Sequence, residues 1–538
     1  MLKKPLLLLS ATLLILSPVS AKKSKAEKAR DTDEISALQE PSSGEETDPA
    51  GTSPEGEEPY LAEGEPASEE GVSGGKKDRP KFWLRNETPE RAGKVNWITG
   101  LTSPFAHPIV VGAYNRFVLR SDWALVEWED VNHYRKMKFD RDWYWTNFVL
   151  HPYQGNLAYM GARNSNFNAL GAFAMSTVSS TIWENFFEKN APSINDMVYT
   201  TVGAFSMGEM LYRLSISASD VWSPLGYLFN PMRLYTDFTT GHKPQGPHGA
   251  VYRLSFSPYF AAGLGMTYYG DGCANDITSR PISSGSLMEM FPGLVGLDAY
   301  VEYNDPYGHE SNTPYSQFEM NFGGGMGVSS GQGFKEDERK KGYDIHLFSN
   351  GILFSRTIPE EKETDTTIGM SMNYDFMWKN FYEFTALAPG FVFKQRRRLP
   401  STTLEYQTHL GLNLLGTSDM FFIRRHLYEG EELRSYSYTA GLEFVGIFRS
   451  RWDNGDLLDF TLHSYLCYDL PDMDVDYEPR GIELINHAQL SFELPLSSFI
   501  SLGFKNELFS KNSWYQNYPH ADALAYTAGL YVRLNFKK

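Results

Sequence analysis

The segment LAYTAGLYVRLNF, residues 524–536, carries an apolar side chain at every second position. Thr527, Arg533 and Asn535 occupy intervening positions, on the opposite face of an extended chain. Successive side chains of a β-strand point to opposite faces, so a period of two indicates a strand. The segment therefore predicts a strand with one apolar face and one polar face.

The same alternation recurs in three further segments, Leu404–Leu414, Leu458–Tyr468 and Ile482–Leu496. Their polar faces carry Glu405, Gln407, His409, Asn413, Asp459, Thr461, His463, Glu483, His487, Gln489 and Glu493. Weaker alternating segments occur through the rest of the region between residues 251 and 499. Each run is about 9–13 residues long, which is the length that a tilted strand needs to cross a bilayer.

Residues 246–538 are therefore predicted to form a barrel. The alternating segments number about thirteen, and closed single-chain barrels usually have an even number of strands. We expect a mainly β protein, a transmembrane antiparallel β-barrel of about 12 strands with an N-terminal α-helical hairpin domain. The mean hydropathy of −0.39 agrees with this prediction, because the polar and apolar faces of such strands cancel in an average.

The N-terminal part of the chain has the pattern of an exported protein. Residues 1–21 combine a positive start, an apolar core and a small-residue cleavage site, which is typical of a secretory signal peptide. Residues 22–90 are rich in Glu, Pro, Ser and Gly, and no Lys or Arg lies between Asp31 and Glu70. Such a segment buries too little apolar surface to fold, so we predict an acidic, disordered linker. It could tether the protein to a periplasmic or cell-wall partner.

Charge and cysteine content exclude two further classes of protein. The net charge of −17 comes mostly from the segment between Asp31 and Glu70, and the remainder is close to balanced, so we expect no nucleic-acid partner. Cys273 and Cys467 are the two cysteines of the sequence, too few for a disulfide-based scaffold.

Two segments between the linker and the barrel differ in character. Residues 91–150 form an aromatic-rich lead-in, for which we expect short strands or an amphipathic helix from Val110 to Val131. Residues 151–235 have helical periodicity and are predicted to form a helical hairpin. Its first helix runs through the uncharged stretch before Glu184, and Ser193 caps the second helix with Asp196 three residues later.

The polar residues of the hairpin are the candidate site. His151, Glu184 and Asp196 are candidate catalytic residues, with His151 as a base. The candidate ligand-binding residues are Arg163, Glu188, Asn195, Glu209 and Arg213. In an antiparallel hairpin the acids collect near the turn and the arginines at the other end, which argues against one combined site. Helix capping and a Glu209–Arg213 ion pair offer a structural explanation, and docking of a partner is a third.

No metal site or cofactor is predicted. The 12 histidines are scattered, without the HxH or HExxH spacing of a metal site. The glycine-rich segment 323–327 is not followed by the Lys-Ser/Thr of a phosphate-binding loop.

Several short motifs occur together upstream of the barrel. They are Asn115-Arg116, Asp122-Trp123, Thr146-Asn147, His151-Pro152-Tyr153, Gly155, Tyr159, Ala162-Arg163, Trp183-Glu184, Pro192-Ser193-Ile194-Asn195-Asp196, Thr200-Thr201-Val202-Gly203, Gly208-Glu209 and Leu211-Tyr212-Arg213. Together they resemble the bacterial domain of unknown function numbered 3943, over roughly residues 95–235. The resemblance implies an envelope protein of a Gram-negative or spirochaete-like bacterium and brings no assigned activity.

These observations favour a protein of the outer membrane in contact with its lipid. We expect a channel, a transport component or a structural envelope protein, with the helices as a plug or a periplasmic subdomain. An integral-membrane enzyme that acts on envelope lipid, and a soluble periplasmic β-protein, are the alternatives.

Overall fold

A computed structural model describes residues 94–131, 137–140, 142–241, 251–273, 281–331, 342–361, 363–425, 427, 434–470 and 478–537. The predicted signal peptide and acidic linker lie outside these described residues.

The C-terminal part of the chain is a closed antiparallel barrel of twelve strands. The strands are β1 (Val251–Tyr269), β2 (Gly285–Tyr303), β3 (Phe318–Gly331), β4 (Gly342–Glu361), β5 (Thr364–Lys379), β6 (Glu383–Leu399), β7 (Thr402–Asp419), β8 (Tyr436–Trp452), β9 (Leu457–Asp469), β10 (Gly481–Pro495), β11 (Ile500–Tyr515) and β12 (Ala521–Lys537). Each strand pairs with its neighbours in chain order, and β1 pairs with β12 to close the barrel. The predicted fold class is confirmed, and so is the strand number.

The alternation of the sequence corresponds to the two faces of the barrel wall. On β12, Leu524 and Leu530 are 51% and 58% exposed on the outer face, whereas Tyr531 is 3% exposed and points inward. On β7, Leu410 is exposed while His409 is buried in the lumen. An apolar outer face and a polar interior are the arrangement of a barrel that spans a membrane.

The two ends of the barrel differ in the length of their connections. At one end, which we call the turn end, the connections are residues 362–363, 400–401, 453–456 and 496–499, with one longer connection, 304–317. At the other end, the loop end, longer connections occur at residues 270–284, 332–341, 420–435 and 470–480. Strand β1 begins and β12 finishes at the turn end, so the chain enters and leaves the barrel there.

A helical domain precedes the barrel. Its helices are α1 (Trp97–Ala113), α2 (His151–Asn164), α3 (Ala169–Phe186), α4 (Ile194–Val198), α5 (Ala204–Val221), α6 (Ser223–Phe229) and α7 (Met232–Thr240). π-Helical turns extend α1 (Tyr114–Leu119), precede α2 (Thr146–Leu150) and join α4 to α5 (Tyr199–Gly203). A short helix, α8 (Phe421–Arg424), lies at the loop end of the barrel.

Local sequence explains where the helices begin. Asn96, Asn168 and Ser193 each accept a hydrogen bond from a backbone N–H of the first turn, as N-cap residues do. The predicted Ser193 cap is confirmed by its contact with the Asp196 N–H, at 3.1 Å. Gly155 lets α2 approach the α4–α5 helix closely, because a Cβ atom there would lie 1.8 Å from the Thr200 carbonyl oxygen.

The lead-in is part of the helical domain. The strands considered for residues 91–150 are absent among its described residues, and α1 packs on α2 and α3 instead. The helix continues from the π-helical segment through His151 and Pro152. Pro152 has no N–H, so the Phe148 carbonyl one turn earlier loses its helical donor. The Tyr374 hydroxyl of β5 donates to that carbonyl at 2.6 Å.

The helical domain packs on the outer face of the barrel wall. The contact is an aromatic seam, formed by Tyr144, Phe148 and Tyr199 of the helical domain and by Tyr374, Phe376, Tyr436 and Tyr438 of the barrel. Tyr374 and Phe376 face the helices, whereas Asp375 between them points into the lumen and contacts His463 of β9 at 3.2 Å. The prediction of a helical plug is therefore wrong, because the helices cover a strand face that alternates with the lumen face. The periplasmic subdomain stays a prediction.

The surface of the helical domain that faces away from the barrel is also apolar. Exposed apolar side chains on α1 and α3 include Trp97, Ile98, Leu101, Ile109, Val110, Leu170 and Val178. Among the described residues, no helix combines the length and the apolar character needed to cross a membrane alone.

Replacement of Phe148 by Ala should loosen the helical domain from the barrel. Phe148 is 1% exposed and contacts rings from both sides of the aromatic seam, and loss of such a side chain costs about 3–5 kcal/mol. Amide hydrogen exchange should become faster in α2 and α5 and stay unchanged in β9–β12. Phe238→Ala is the matched control, since Phe238 is 74% exposed. Equal exchange in both variants would contradict the seam.

Candidate functional site

The residues predicted near the turn of the hairpin do come together. Glu184, in the last turn of α3, is buried and accepts a hydrogen bond from the Ser193 N–H at 3.1 Å. Asp196, in the first turn of α4, is 2% exposed. Glu188 follows α3 and accepts a hydrogen bond from the Trp183 indole N–H at 3.0 Å. One carboxylate oxygen from each of the three acids lies within 4.8 Å of the other two.

A segment from the lead-in adds further acids. The Ile194 N–H donates to the Lys138 carbonyl at 2.9 Å, so residues 138–140 run beside the start of α4. Asp140 is fixed there by Asn195, whose side-chain amide donates to Asp140 Oδ1 at 3.1 Å and to Asp196 Oδ1 at 2.8 Å. Asn195 thus holds the two carboxylates on one side of its amide group.

His151 connects the two groups of acids. Its Nε2 atom lies 3.6 Å from Asp196 Oδ1. One of its two ring nitrogens lies within 4.8 Å of a carboxylate oxygen of Asp140 and of Asp142. We call His151, Asp140, Asp142, Glu184, Glu188 and Asp196 the acidic cluster. It lies at the loop end of the barrel, because the Arg434 guanidinium donates to the Asp140 carbonyl and pairs with Glu478 of the 470–480 connection.

Burial and mutual repulsion shift the protonation of these groups. Burial raises the pKa of Glu184 to about 7, and the neighbouring Asp140 carboxylate adds to the shift. Burial and nearby carboxylates also hold the pKa of Asp196 well above its usual value, and the same causes act on the pKa of Glu188. Burial lowers the pKa of His151, so its neutral form is favoured. The cluster therefore holds several carboxyl groups that ionise reluctantly in the absence of a cation.

The predicted arginines form a separate group at the other end of the helices. Glu209 is fully buried between Arg163, at 2.7 Å, and Arg213, at 3.1 Å. The Tyr159 hydroxyl also donates to Glu209 at 2.8 Å. Burial alone would raise the pKa of Glu209, but the two guanidinium groups hold it below its usual value. Arg213 also donates to the Pro314 carbonyl at 3.0 Å, so this group joins α2 and α5 to the turn end of the barrel.

The structure separates the predicted residues into two sets, as the spacing argument expects. His151, Glu184, Glu188, Asn195 and Asp196 meet at the loop end, and the remaining three residues meet at the turn end. Sequence reasoning missed Asp140 and Asp142, although their Asp-x-Asp spacing is one that recurs in cation-binding loops.

The lumen of the barrel is the second polar region. Its cavity is lined by residues from all the strands, among them Asp298, Asp375, His409, His463, Lys505 and Arg533. Ion pairs cross it between diametrically opposite strands, and the order of the strands places β5 opposite β11 and β2 opposite β8. Lys379 Nζ of β5 lies 3.0 Å from Glu507 Oε2 of β11. Arg449 Nη1 of β8 lies 3.1 Å from Glu302 Oε1 of β2.

Comparison with known proteins identifies the helical region. Residues 136–223 match the family model of a domain of unknown function, DUF3943, so the predicted resemblance is confirmed over a range narrower than residues 95–235. No curated protein matches the chain.

Solved structures with a similar course of the chain include three outer-membrane proteins. An outer membrane channel from Pseudomonas putida F1 has a TM-score of 0.30 and 9% identity, covering 54% of this chain and 97% of that chain. The translocator domain of the autotransporter NalP from Neisseria meningitidis has a TM-score of 0.23 and 10% identity, with 55% and 92% coverage. OmpT of Vibrio cholerae has a TM-score of 0.19 and 9% identity, with 52% and 98% coverage.

Without divalent cations, the helical domain should become less stable as the pH rises from 6.5 to 8.5. The folded protein holds Glu184 protonated up to about pH 7, whereas an unfolded chain releases that proton near the usual pKa of 4.5. The folded state thus binds more protons, and stability falls as the pH rises through the folded pKa. At pH 6.5, the usual pKa of His151, half of the unfolded imidazole is still charged, so His151 adds a smaller opposite trend that fades within about one pH unit.

Protease resistance of the helical domain in detergent would measure this dependence. Glu184→Gln should flatten the curve, and Glu310→Gln, at an exposed carboxylate in the 304–317 connection, should leave it unchanged. Resistance that increases with pH in the unmodified protein would contradict the assignment.

Proposed function

We propose that this chain is an outer-membrane β-barrel protein with a structural role in the envelope. In this proposal the barrel is not an open pore, and it anchors the helical domain at the boundary between the barrel wall and the lipid.

Three features support the membrane location. The outer faces of β9–β12 and β1 expose apolar side chains such as Leu466, Leu490 and Phe504. The connections are mostly short at the turn end and longer at the loop end, as in barrels with short periplasmic turns and long outer loops. The signal peptide predicted in residues 1–21 would supply export.

The ion pairs that cross the lumen support a structural role, because they close the passage through the barrel. Lys379–Glu507 and Arg449–Glu302 each join strands on opposite sides of the barrel, so the side chains meet where an open pore would have water. Near the loop end, the Tyr382 and Phe509 rings stack across the interior with their centroids 3.5 Å apart. Removing one member of a buried ion pair lowers the free energy of unfolding by about 3–5 kcal/mol. Pairs of this strength would keep the passage closed at ordinary temperatures.

In this proposal the barrel is the anchor, and it holds the helical domain in contact with lipid or with another membrane protein. Its inner side is fixed by the aromatic seam, and its outer side exposes Trp97, Ile98 and Val178. An apolar surface of this kind on an already folded domain is suited to contact with lipid or with another membrane protein.

One feature of the structure supports the enzyme alternative, and a second feature argues against it. His151, Glu184 and Asp196 lie together, as a reaction centre would require. The guanidinium groups of Arg163 and Arg213, which could stabilise a developing negative charge, are instead bound to Glu209 at the other end of the domain. The anchoring role is therefore preferred.

The proposal predicts an outer-membrane protein that is electrically silent. The protein should appear in the outer-membrane fraction, shift its gel mobility on heating, and give no steady conductance in planar bilayers. A Lys379→Ala/Arg449→Ala double variant removes both opposite-strand pairs and should give measurable conductance while keeping its heat-dependent mobility.

Arg356→Ala is the control for this experiment, because Arg356 pairs with Glu310 outside the lumen and both side chains are exposed. Steady conductance by the unmodified protein would overturn the closed barrel, and recovery in the soluble periplasmic fraction would overturn the membrane location.

A further inference from the structure

We propose that the acidic cluster of the helical domain binds a divalent metal ion of the Mn²⁺ type. The ion would lie between His151 and the carboxylates of Asp140 and Asp196, with Asp142, Glu184 and Glu188 close enough to complete its ligands. This inference stands apart from the structural role of the barrel, because it rests on contacts within the helical domain alone.

The first support is the convergence of ligand atoms from distant parts of the chain. His151 begins α2, Glu184 lies in α3, Asp196 lies in α4, and Asp140 comes from the lead-in. The six side chains form two groups of three whose ligand atoms lie within 4.8 Å of one another, and the 3.6 Å approach of His151 to Asp196 joins the groups. Oxygen atoms from carboxylates and one imidazole nitrogen are ordinary metal ligands in proteins.

The second support is an imidazole nitrogen without a hydrogen-bond partner. His151 is 6% exposed, and its Nε2 atom has no hydrogen-bond partner among the described residues. The distance of 3.6 Å to Asp196 Oδ1 is too long for a hydrogen bond. A buried polar atom of this kind usually has a partner, because leaving it unpaired costs about 1–3 kcal/mol. A metal ion placed between Nε2 and the carboxylate oxygens would satisfy it.

Protons alone do not explain the cluster equally well. A shared proton can reduce the repulsion among Glu184, Glu188 and Asp196, but it leaves His151 Nε2 too far from an oxygen to bond. A bound cation would both reduce the repulsion among the carboxylates and give His151 Nε2 a partner.

The donor set indicates which ion fits. Carboxylate oxygens predominate, which suits Mg²⁺, Ca²⁺ and Mn²⁺, and the single imidazole favours a transition metal over the first two. None of the ligand atoms comes from cysteine, unlike most structural zinc sites. Asp142 is exposed, so the site has a path from solvent through which an ion can enter.

Asn195 supports the site without being a ligand. Its amide nitrogen donates to Asp140 Oδ1 and Asp196 Oδ1, and its oxygen accepts the Asp140 N–H at 3.0 Å. Partners of this kind orient metal-binding carboxylates and hold their geometry. A bound ion would therefore join the lead-in, α2, α3 and α4 through side chains that are already positioned.

Mn²⁺ binding to the full-length protein in detergent tests the proposal. After treatment with EDTA and removal of the chelator, free Mn²⁺ is measured by electron paramagnetic resonance during titration. The unmodified protein should take up Mn²⁺ at one site. In a double variant that carries both His151→Ala and Asp196→Asn, the apparent Kd of this site should rise at least about tenfold. Asp196→Asn keeps the side-chain shape, and Glu188→Gln provides a second variant at a half-buried position.

Three controls make the result specific to the cluster. Both variants retain the acidic segment between Asp31 and Glu70, so weak binding there appears in every titration and cancels in the difference. Glu310→Gln, an exposed carboxylate, should bind as the unmodified protein does. Protease resistance reports whether the helical domain of each variant is folded.

Equal Mn²⁺ affinity in the unmodified protein and in both folded cluster variants would overturn the site. Tighter binding of Mg²⁺ than of Mn²⁺ at the same residues would overturn the assignment of the imidazole as a ligand. Neither result depends on conductance or on the location of the protein, so failure of the site and failure of the structural role are distinguishable.

Discussion

The hydroxyl group of Tyr374, on the outer face of β5, donates a hydrogen bond to the carbonyl oxygen of Phe148, 2.6 Å away. That carbonyl is free because Pro152, one helical turn later, has no N–H to offer. The proline thus leaves an acceptor on the helix, and the barrel supplies its donor. Aromatic rings packed around this bond each add about 0.5–1.5 kcal/mol beyond the area they bury. This bond and the rings around it hold the helical domain against the barrel wall.

The seam also decides where the polar groups lie. With the helices on the outer wall, the lumen is left to the side chains of the barrel, and pairs such as Lys379–Glu507 cross it. The same placement puts the acidic cluster beside the loop end and the Arg163–Glu209–Arg213 group beside the turn end. The two charged groups are therefore separated along the wall, and each contacts a different end of the barrel.

Features that depend on neighbours in the chain are predictable from this sequence. The alternation of Leu404–Leu414 predicts a strand with one exposed face, and the structure has that strand. Ser193 predicts the start of a helix, and its cap is present. In Met372–Phe376 the sequence still alternates, but both faces are buried because the helical domain covers the outer face of that segment. Pro152 carries no local signal that the helix continues through it, because proline is tolerated there only where the carbonyl it leaves without a donor finds another partner. Asp140 carries no local signal for its place, since it reaches the cluster by pairing with residues more than fifty positions away.

The central claim is that the helical domain packs on the outside of the barrel wall. A photo-reactive benzophenone amino acid at position 148, activated in native membranes, tests this claim most directly through the adducts that mass spectrometry identifies. The structure predicts adducts on the outward-facing residues Tyr374, Tyr436 and Tyr438. Adducts on the lumen-facing residues Asp375, Ser437 or His463 would place the helices inside the barrel and contradict the account.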